Sequence, residues 1–370
     1  MKIVFTGGGT GGHFYPLMAV AESLRIATAE NKLADPKMYY FGEKNYNPVM
    51  LEDRGITYKH IPSGKNRLYF SLSNFIDYFK IFYGIIIAFF KLLFIYPDLV
   101  FSKGGYDSVP TCLAAFLLRI PVIMHDSDAI PGRASLLISR FAYRIAVSYK
   151  ESVRFYKRQD RVAVTGQPIL NKYLPNNDFK REYKEGKKNI LVTGGSLGSQ
   201  KINDTILEIL PELCAKYNVI HQTGEANIED VKSRSSVILV NYNKDAYAPY
   251  ATLDFSKIYN QIDLVIARAG SSMFEFAAWQ IPSIIIPINK TVSRDQVINA
   301  EAALGTGFIK MINEENLSSH LLLNVINNIL DHREVYNKME EGAKSFYSQN
   351  GAKVISQEII NIVLSHDIKN

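Results

Sequence analysis

Cysteine is scarce in this sequence. Of 370 residues only two are cysteines, Cys112 and Cys214, and both lie in apolar stretches of helical character. A disulfide framework and a cysteine-based metal site are therefore excluded. We expect two buried free thiols in a reducing compartment.

Long uncharged apolar runs are also missing. The most apolar stretch, 75–97, is interrupted by Asp77, Lys80 and Lys91, and its longest uncharged part, Ile81–Phe90, has ten residues. That length is too short to cross a bilayer. At the amino terminus a strand-like segment and a glycine run follow Met1 directly, without an apolar core of a signal peptide, so we expect no such peptide.

An excess of charge of one sign is confined to the first half. Residues 1–168 contain 21 Lys and Arg against 13 Asp and Glu, whereas the remainder contains 21 against 23. A basic half attracts an anionic partner such as phosphate, nucleic acid or acidic lipid, and composition does not choose among them.

Short apolar runs alternate with helical stretches, which predicts an α/β protein with parallel sheets. The predicted strands of the first half are Lys2–Thr6, Met38–Phe41, Leu99–Ser102, Val122–His125, Ile145–Ser148 and Val162–Thr165. Those of the second half are Ile190–Thr193, Val219–His221, Val237–Val240, Leu264–Ala267 and Ile284–Pro287.

The two halves begin alike. The ten residues from Ile3 and the ten from Ile190 are identical at five positions, and each segment is a strand followed by a glycine turn. We predict two Rossmann-like domains, residues 1–168 and 169–347, joined through a linker over Gln167–Glu185. The last segment, 348–370, contains a predicted amphipathic helix and packs back on the first domain. Glycosyltransferases of the GT-B class have this plan, and a nucleotide-binding oxidoreductase is the alternative.

The first glycine loop, TGGGTGGH at Thr6–His13, is suited to hold phosphate on backbone N–H groups at a helix start. A purely structural turn is the other interpretation. The loop also satisfies G-x-G-x-x-G, but a dinucleotide site needs an acidic residue about 20 positions further on. Glu43, the only candidate, lies about 31 positions past Gly12. His13 is placed to act as a general base or to contact a sugar or phosphate.

Three more segments follow predicted strands. In Gly194–Ser199, Ser196 adds a hydroxyl suited to a diphosphate oxygen. In Ala267–Glu275, Glu275 has two oxygens for a ribose diol, or is simply a first-turn carboxylate favoured by the helix dipole. In Ser293–Ala300, Gln296 and Asn299 are suited to bind sugar hydroxyls, although the segment taken alone is better explained as a solvated loop with a helix start.

Taken together, these segments resemble the MurG family. The motifs occur in the family's order: TGGGTGGH, FSKGGYDSVP at Phe101–Pro110, HDSDAIPG at His125–Gly132, GGSLGS, ARAGSSMFE and RDQVINA. Members transfer GlcNAc from UDP-GlcNAc to a lipid-linked muramoyl-pentapeptide (lipid I to lipid II) in peptidoglycan synthesis. The resemblance implies a GT-B fold with a cleft between its domains and an inverting transfer without metal or cofactor. It also implies peripheral binding to the cytoplasmic face of the cell membrane.

The resemblance further implies that the first domain binds the lipid acceptor and the second the UDP-sugar. His13 would be the catalytic base. Substrate contacts would come from Thr10, Gly11, Gly12 and Asp128 in the first domain. In the second they would come from Ser196 at the diphosphate, Thr252 or Phe255 at the uracil, Ser271, Ser272, Met273 and Phe274 through the backbone, Glu275 at the ribose and Gln296 at the GlcNAc.

Three positions depart from the family pattern. Asp128 stands where the family usually has Asn. Ile169 and Leu170 follow the Gly-Gln-Pro turn where the family usually has an Arg. Gly270 and Glu275 are five positions apart instead of six. These departures leave two alternatives open: a related glycolipid glycosyltransferase with another acceptor, and a non-catalytic subunit that binds nucleotide sugar.

The apolar stretch 75–97 has two interpretations. It is either a core helix of an α/β domain or a helix in the membrane interface whose aromatic side chains enter the headgroup layer. In the second case Lys65, Arg67, Lys80 and Lys91 would meet anionic lipid. The resemblance and the basic first half favour the membrane interface.

Overall fold

The computed structural model describes residues 1–7, 11–64, 72–176, 179, 186–289 and 294–367. The chain divides into two compact units. Unit 1 comprises Met1–Asn171 and Gln349–Asn370, and unit 2 comprises Lys172–Ser348.

In its described residues, unit 1 has a parallel sheet of seven strands in the order β3-β2-β1-β4-β5-β6-β7. The strands are β1 Lys2–Thr6, β2 Lys37–Gly42, β3 Ile56–His60, β4 Leu99–Ser102, β5 Val122–Asp126, β6 Arg144–Val147 and β7 Val162–Val164. The first helices of the chain are α1 Gly11–Glu30, α2 Pro48–Asp53, α3 Leu72–Ile95, α4 Val109–Leu117 and α5 Arg133–Ile138. Strands β1 and β4 are fully buried along almost their whole length, as expected for a parallel sheet covered by helices.

Unit 2 repeats the plan with six parallel strands in the order β10-β9-β8-β11-β12-β13. They are β8 Asn189–Thr193, β9 Asn218–Gln222, β10 Tyr247–Tyr250, β11 Leu264–Ala267, β12 Ser283–Ile285 and β13 Ile309–Met311. The helices are α6 Gln200–Glu208, α7 Leu210–Lys216, α8 Ile228–Ile238, α9 Met273–Ala278, α10 Arg294–Leu304, α11 Ser319–Asp331 and α12 Arg333–Phe346. The α/β class and the two Rossmann-like sheets are thus confirmed.

One predicted strand is wrong. Val237 falls in helix α8 and Val240 in the turn that follows it, and the strand of this region is β10. Ile228, Val231 and Ser235 are buried at helical spacing, whereas Val237 and Val240 are exposed. Packing of the helical face therefore overrides the β-branched run. Strands β3 and β13 were not predicted.

The last helix, α13 (Gly351–Asp367), belongs to unit 1 and packs against α1, where the Ser23 and Ser356 hydroxyls are 3.0 Å apart. Its start is fixed by a close approach. A Cβ added to Gly351 would lie 2.3 Å from the Gly166 carbonyl oxygen, so only glycine fits there. Asn350 Oδ1 also accepts a hydrogen bond of 3.0 Å from the Ile169 N–H.

Both cysteines are buried and free, as expected, with Cys112 on α4 and Cys214 on α7. Burial raises the pKa of the Cys112 thiol to about 12 and that of Cys214 to about 11. At neutral pH both thiols are protonated, so neither is suited to act as a nucleophile.

Helix α3 has a packed face and an exposed face. Ala88 and Leu92 are fully buried, whereas Phe79, Phe82 and Phe94 are 74%, 64% and 85% exposed. The helix is therefore not simply a core helix. Among the described residues, none of the helices is long and apolar enough to span a bilayer.

We predict that Leu92→Ala lowers the free energy of unfolding of unit 1 by about 2–5 kcal/mol, because it leaves a cavity beneath α3. The matched variant Phe94→Ala removes a larger side chain that is almost wholly in solvent, and we expect a change within about 0.5 kcal/mol. Urea unfolding of both variants measures the difference. Equal losses of unfolding free energy in the two variants would contradict the assignment of one packed and one exposed face to α3.

Candidate active site

In unit 1 the strand order reverses between β1 and β4. The loops that follow these strands meet at the carboxyl edge of the sheet, where open α/β sheets bind ligands. The Lys103 N–H donates a 2.9 Å hydrogen bond to the Thr6 carbonyl. Gly7 has a φ of +116°, and a Cβ there would lie 2.9 Å from the Gly104 carbonyl oxygen. The two loops therefore approach so closely that Gly7 cannot be replaced without strain.

The first glycine loop leads into α1. Thr10 lies outside the described residues. Gly11 and Gly12 form the first turn of the helix, and a Cβ on Gly11 would lie 3.0 Å from the Tyr46 hydroxyl. Glu43, the acidic residue considered for a dinucleotide site, follows β2, and its carboxylate accepts a hydrogen bond from the Ser63 N–H.

His13 lies in the first turn of α1. A Cβ on Gly105 would be 3.6 Å from its Nε2, so the imidazole faces the turn after β4. Burial, and to a smaller extent the positive charge of Lys103, lower the pKa of His13 to about 4, while the charge of Asp128 acts in the opposite direction. The imidazole is therefore neutral at pH 7 and able to accept a proton.

The loop after β5 brings carboxylates to the same edge. Asp126 Oδ1 accepts a 3.2 Å hydrogen bond from the Asp128 N–H, and Asp126 Oδ2 accepts one of 3.3 Å from the Tyr156 hydroxyl. Burial raises the pKa of Asp126, as does the charge of Asp128, whereas Lys103 lowers it. Asp128 is thus part of a charged cluster that also contains Lys103 and His13.

Lys103 was not singled out from the sequence. Its side chain is 2% exposed, and its Nζ donates a 2.5 Å hydrogen bond to Ser127 Oγ. Burial lowers its pKa to about 8, against the opposing charges of Asp126 and Asp128. A buried cation at the ligand edge of a sheet indicates a functional site. The burial of Lys103 is visible only in the fold, because in the sequence a lone lysine beside glycines is typical of a surface residue.

The corresponding edge of unit 2 contains the second glycine loop. A Cβ on Gly194 would lie 2.3 Å from the Ser199 N, and one on Gly198 would lie 1.9 Å from the Thr223 carbonyl oxygen. Ser199 caps α6, accepting a hydrogen bond from the Ile202 N–H. Ser196 is exposed at the tip of the loop, where its hydroxyl is available to a ligand.

Arg268, directly after β11, connects three segments. It too was not predicted from the sequence as a functional residue. Its guanidinium donates to Ser199 Oγ at 2.6 Å and to the Ile286 carbonyl at 3.1 Å, and it forms an ion pair with Glu314. Glu314 also accepts a hydrogen bond of 3.3 Å from the Asn289 N–H. A planar donor of this kind fixes the loops relative to one another.

The segment Ala267–Glu275 forms a turn that enters the short helix α9. The N–H groups of Met273 and Phe274 donate to the carbonyls of Gly270 and Ser271, so they are engaged within the turn. Both of these side chains are buried. Ser271 and Ser272, just before them, are partly exposed.

Glu275 is held by Tyr259, whose buried hydroxyl donates a 2.6 Å hydrogen bond to Oε2. Burial raises the pKa of Glu275 to about 7, and this hydrogen bond and the charge of Lys172 partly oppose the rise. Phe255 packs on the Tyr259 ring with a centroid distance of 5.8 Å. The carboxylate and an aromatic side chain thus lie in one neighbourhood, a relation that the sequence does not show.

The remaining predicted contacts lie at the same edge of unit 2. Gln296, on α10, accepts a 3.2 Å hydrogen bond from the Ile288 N–H through its side-chain oxygen. This bond does not use the amide NH₂ group of Gln296. Asn299, one turn further, is 3% exposed. Thr252 is exposed in the loop after β10.

Comparison with known families gives the same two-part division. Residues 3–147 match the glycosyltransferase family 28 N-terminal domain, and residues 189–359 match the C-terminal domain of that family. The chain is 33% identical over 366 residues to a Bacillus cereus protein named UDP-N-acetylglucosamine–N-acetylmuramyl-(pentapeptide) pyrophosphoryl-undecaprenol N-acetylglucosamine transferase 2. That alignment covers 97% of this chain and 99% of the relative.

The chain belongs to the MurG family of glycosyltransferases. A Clostridium botulinum transferase of the same name is 35% identical over 357 residues, covering 93% of this chain and 97% of the relative. Among solved structures, MurG of Acinetobacter baumannii superposes with a TM-score of 0.74 at 23% identity, covering 97% and 99% of the two chains. The GT-B fold class is thereby confirmed, and membership of the family removes the oxidoreductase alternative.

Proposed function

We propose that this MurG-family protein transfers GlcNAc, with inversion and without a metal, from UDP-GlcNAc to a lipid-linked muramoyl-pentapeptide, converting lipid I to lipid II. The observation that carries the proposal is the neutral, largely buried His13 at the switch point of unit 1. It is the group that a direct displacement needs, and it occurs in a chain 33–35% identical to transferases named for this reaction.

The reaction is a single displacement. The acceptor hydroxyl attacks the anomeric carbon and its proton passes to His13, while the bond from that carbon to the UDP oxygen breaks with both electrons going to UDP. The departing diphosphate is stabilised by loop N–H and hydroxyl groups, with Ser196, Ser271 and Ser272 as the side-chain donors. Asp128 is well placed to stabilise the imidazolium that forms, because it already raises the pKa of His13.

The donor occupies the loops of unit 2. Glu275 accepts both ribose hydroxyls, and Tyr259 orients its carboxylate. Gln296 donates its amide to the GlcNAc hydroxyls. The other proposed contacts in unit 2 are Thr252 or Phe255 at the uracil and Met273 and Phe274 around the turn. The contacts with diphosphate and sugar that the resemblance implies for Thr10, Gly11 and Gly12 of unit 1 stay a prediction.

Leu170 stands where the family usually has an arginine, and Arg268 is the residue that we propose as a cation of the donor site in its place. Leu170 is buried in unit 1 with 2% exposure, so it contributes to packing and not to ligand binding. Arg268 places a guanidinium beside the glycine loop of unit 2 through its hydrogen bond to Ser199. We propose that this guanidinium, which is paired with Glu314, supports the loop that binds the diphosphate.

The acceptor and the membrane are assigned to unit 1. Besides the exposed aromatic face of α3, Phe116 and Leu117 on α4, a helix in contact with α3, are 53% and 62% exposed. Exposed apolar patches of this kind mark interaction surfaces, and the basic first half favours anionic lipid. We propose peripheral binding to the cytoplasmic face of the cell membrane through this face.

We predict that His13→Ala lowers kcat by about 10²–10⁴-fold, the usual contribution of a general base, and leaves the Kd for UDP-GlcNAc nearly unchanged. Transfer of labelled GlcNAc to a lipid I analogue measures kcat, and calorimetry measures binding. His332→Ala, an exposed position in unit 2, is the control. Normal turnover by His13→Ala would remove this residue from the mechanism, and binding without turnover by the unaltered protein would identify a non-catalytic subunit.

We predict that the affinity for UDP-GlcNAc falls as the pH is lowered through 7, by up to about tenfold per pH unit, because protonation of Glu275 removes an acceptor for the ribose diol. Glu275→Gln should bind roughly 10–100-fold more weakly at pH 8 and lose this pH dependence. It should also no longer distinguish UDP-GlcNAc from its 2′-deoxyribose analogue.

Calorimetric titration from pH 5.5 to 8.5 measures these effects, with Glu212→Gln, an exposed change on α7, as the control. A pH dependence that persists in Glu275→Gln would place the ribose contact elsewhere.

We predict that Phe82→Ser/Phe94→Ser lowers partitioning onto vesicles of phosphatidylglycerol and phosphatidylethanolamine at least about tenfold, because two aromatic side chains no longer enter the interface. The control is Val237→Ser/Val240→Ser, two exposed apolar positions in unit 2. Co-sedimentation at increasing salt measures binding, which should weaken with salt. An equal loss in both double variants would reject α3 as the binding face.

A further inference from the structure

A groove between helix α13 and the last two strands of unit 1 contains none of the site residues described above. Its volume is about 750 Å³, within the usual range of pockets that hold small organic ligands. All the residues that line it belong to unit 1. The groove is therefore a candidate binding site of this unit alone.

The groove runs along the height of the sheet. One end is lined by Arg144, the first residue of β6, and the other by Thr165, directly after β7. Helix α13 forms the wall between these ends, because it begins at the carboxyl edge and its Glu358 pairs with Arg144 at 3.0 Å. From Lys353 to Asn361, its first and last lining residues, α13 rises about 12 Å. A ligand in the groove would extend from one edge of the sheet to the other.

The floor of the groove is apolar and shallowly filled. It is lined by Ala146 on β6, by its register partner Ala163 on β7 and by Ile123 on β5. Ala146 and Ile123 are buried, whereas Ala163, on the edge strand, is exposed. Alanine at two adjoining positions leaves space that larger side chains would fill. An apolar chain that lies on this floor is removed from water, which is favourable.

The charged groups of the groove differ between its two ends. At the amino edge of the sheet the charge of Arg144 is balanced by Glu358. At the carboxyl edge Lys353 is exposed on the first turn of α13, and within the described part of the chain it forms no ion pair. The exposed Gln349 lines the same end. This end is therefore suited to an anionic headgroup such as a phosphate.

The amino end of the groove adjoins exposed aromatic side chains. The Arg144 guanidinium lies 4.9 Å from the ring centroid of Tyr143, which is exposed just before β6. Two residues earlier, Phe141 packs on Phe116 of α4 with a centroid distance of 4.9 Å. Phe116 belongs to the apolar surface assigned above to the membrane. The groove thus leads from that surface to the carboxyl edge of the sheet, where His13 lies.

We propose that this groove binds the polyprenyl chain of the lipid acceptor, with the diphosphate at Lys353 and the far end of the chain leaving past Tyr143 towards the membrane. The inference rests on the proposed function and adds to it a binding site for the acceptor lipid. Strand β6 lies three strand spacings, about 14 Å, from β1. A muramoyl sugar joined to a diphosphate, with the reach of a lysine side chain, spans a distance of this order. The acceptor hydroxyl can then approach His13 while the chain stays in the groove.

The first test is a calorimetric titration with farnesyl diphosphate, a soluble isoprenoid diphosphate. Saturating UDP is present to occupy the diphosphate loops of unit 2. Ala163→Trp should weaken binding at least about tenfold, because an indole ring on the floor displaces the chain. Lys353→Met should weaken it by about tenfold, because the diphosphate loses a cation.

Val164→Trp is the matched control for Ala163→Trp. Val164 is the next residue of the same strand and is also exposed, but it does not line the groove, because successive side chains of a strand point to opposite faces. Its replacement should leave the affinity for farnesyl diphosphate unchanged. If Ala163→Trp does not fold, Gln357→Trp, at an exposed position of α13, narrows the groove from its other wall.

The second test varies the chain of the acceptor. Two acceptors contain the same muramoyl-pentapeptide diphosphate, one with a long polyprenyl chain and one with an ethyl group in its place. Ala163→Trp should raise the KM for the long-chain acceptor at least about fivefold, because the chain loses its apolar contacts. The KM for the ethyl acceptor and the KM for UDP-GlcNAc should stay unchanged. A merely structural effect of the substitution would change all three values.

An affinity for farnesyl diphosphate that is the same in Ala163→Trp, Gln357→Trp and the unaltered protein would overturn the proposal. So would binding of dihexanoyl phosphatidylglycerol that is lost in Ala163→Trp while the KM for the long-chain acceptor is unchanged, since the groove would then hold a membrane phospholipid. Failure of the proposed function gives a different result. Absence of GlcNAc transfer to either acceptor would reject the transferase assignment, whereas the titrations would still decide whether the groove binds an isoprenoid diphosphate.

Discussion

Parallel pairing of β1 with both β2 and β4 is the constraint on which the rest of unit 1 depends. It brings the loops after β1 and β4 to one edge of the sheet and leaves room there for little more than backbone, so Gly7 must be glycine. The same closeness brings His13 against the Gly105 turn and Lys103 against the loop after β5. The candidate base and its charged neighbours are therefore consequences of strand order, not separate additions to the fold.

Unit 2 forms the carboxyl edge of its sheet in the same way but with different polar side chains. Its central strand β8 is again flanked by two strands, and glycines 194 and 198 again allow a close approach. Here the polar groups are Arg268, which joins neighbouring loops, and Glu275, which is fixed by Tyr259. An edge organised around donors and one carboxylate is suited to a diphosphate and a ribose, whereas the edge of unit 1 is suited to moving a proton.

The features of the fold that could be predicted are those that neighbouring residues in the sequence determine. Buried strands such as Leu99–Ser102, and the glycine loops after the first strand of each unit, could be predicted because short apolar runs and glycine clusters are direct sequence signals. The strand predicted at Val237–Val240 was wrong, because a β-branched run does not show that the residues before it form a helix, α8, which buries Val231. Lys103, Arg268 and Tyr259 were missed because their roles arise from partners at least 16 positions away. No spacing rule connects such positions.

Burial makes the charges of unit 1 depend on one another. In water, Lys103 and His13 would each keep an ordinary pKa, because screening weakens their interaction with each other and with Asp128. Within the loops, desolvation destabilises every charged form, so the presence of one charge decides whether the next is tolerated. Burial lowers the pKa of His13 most, the charge of Lys103 lowers it as well, and the charge of Asp128 opposes both effects. The imidazole is neutral at rest and an anion is already in place for the imidazolium. Replacement of the usual Asn by Asp128 therefore adds a negative charge that favours the charged forms of both Lys103 and His13.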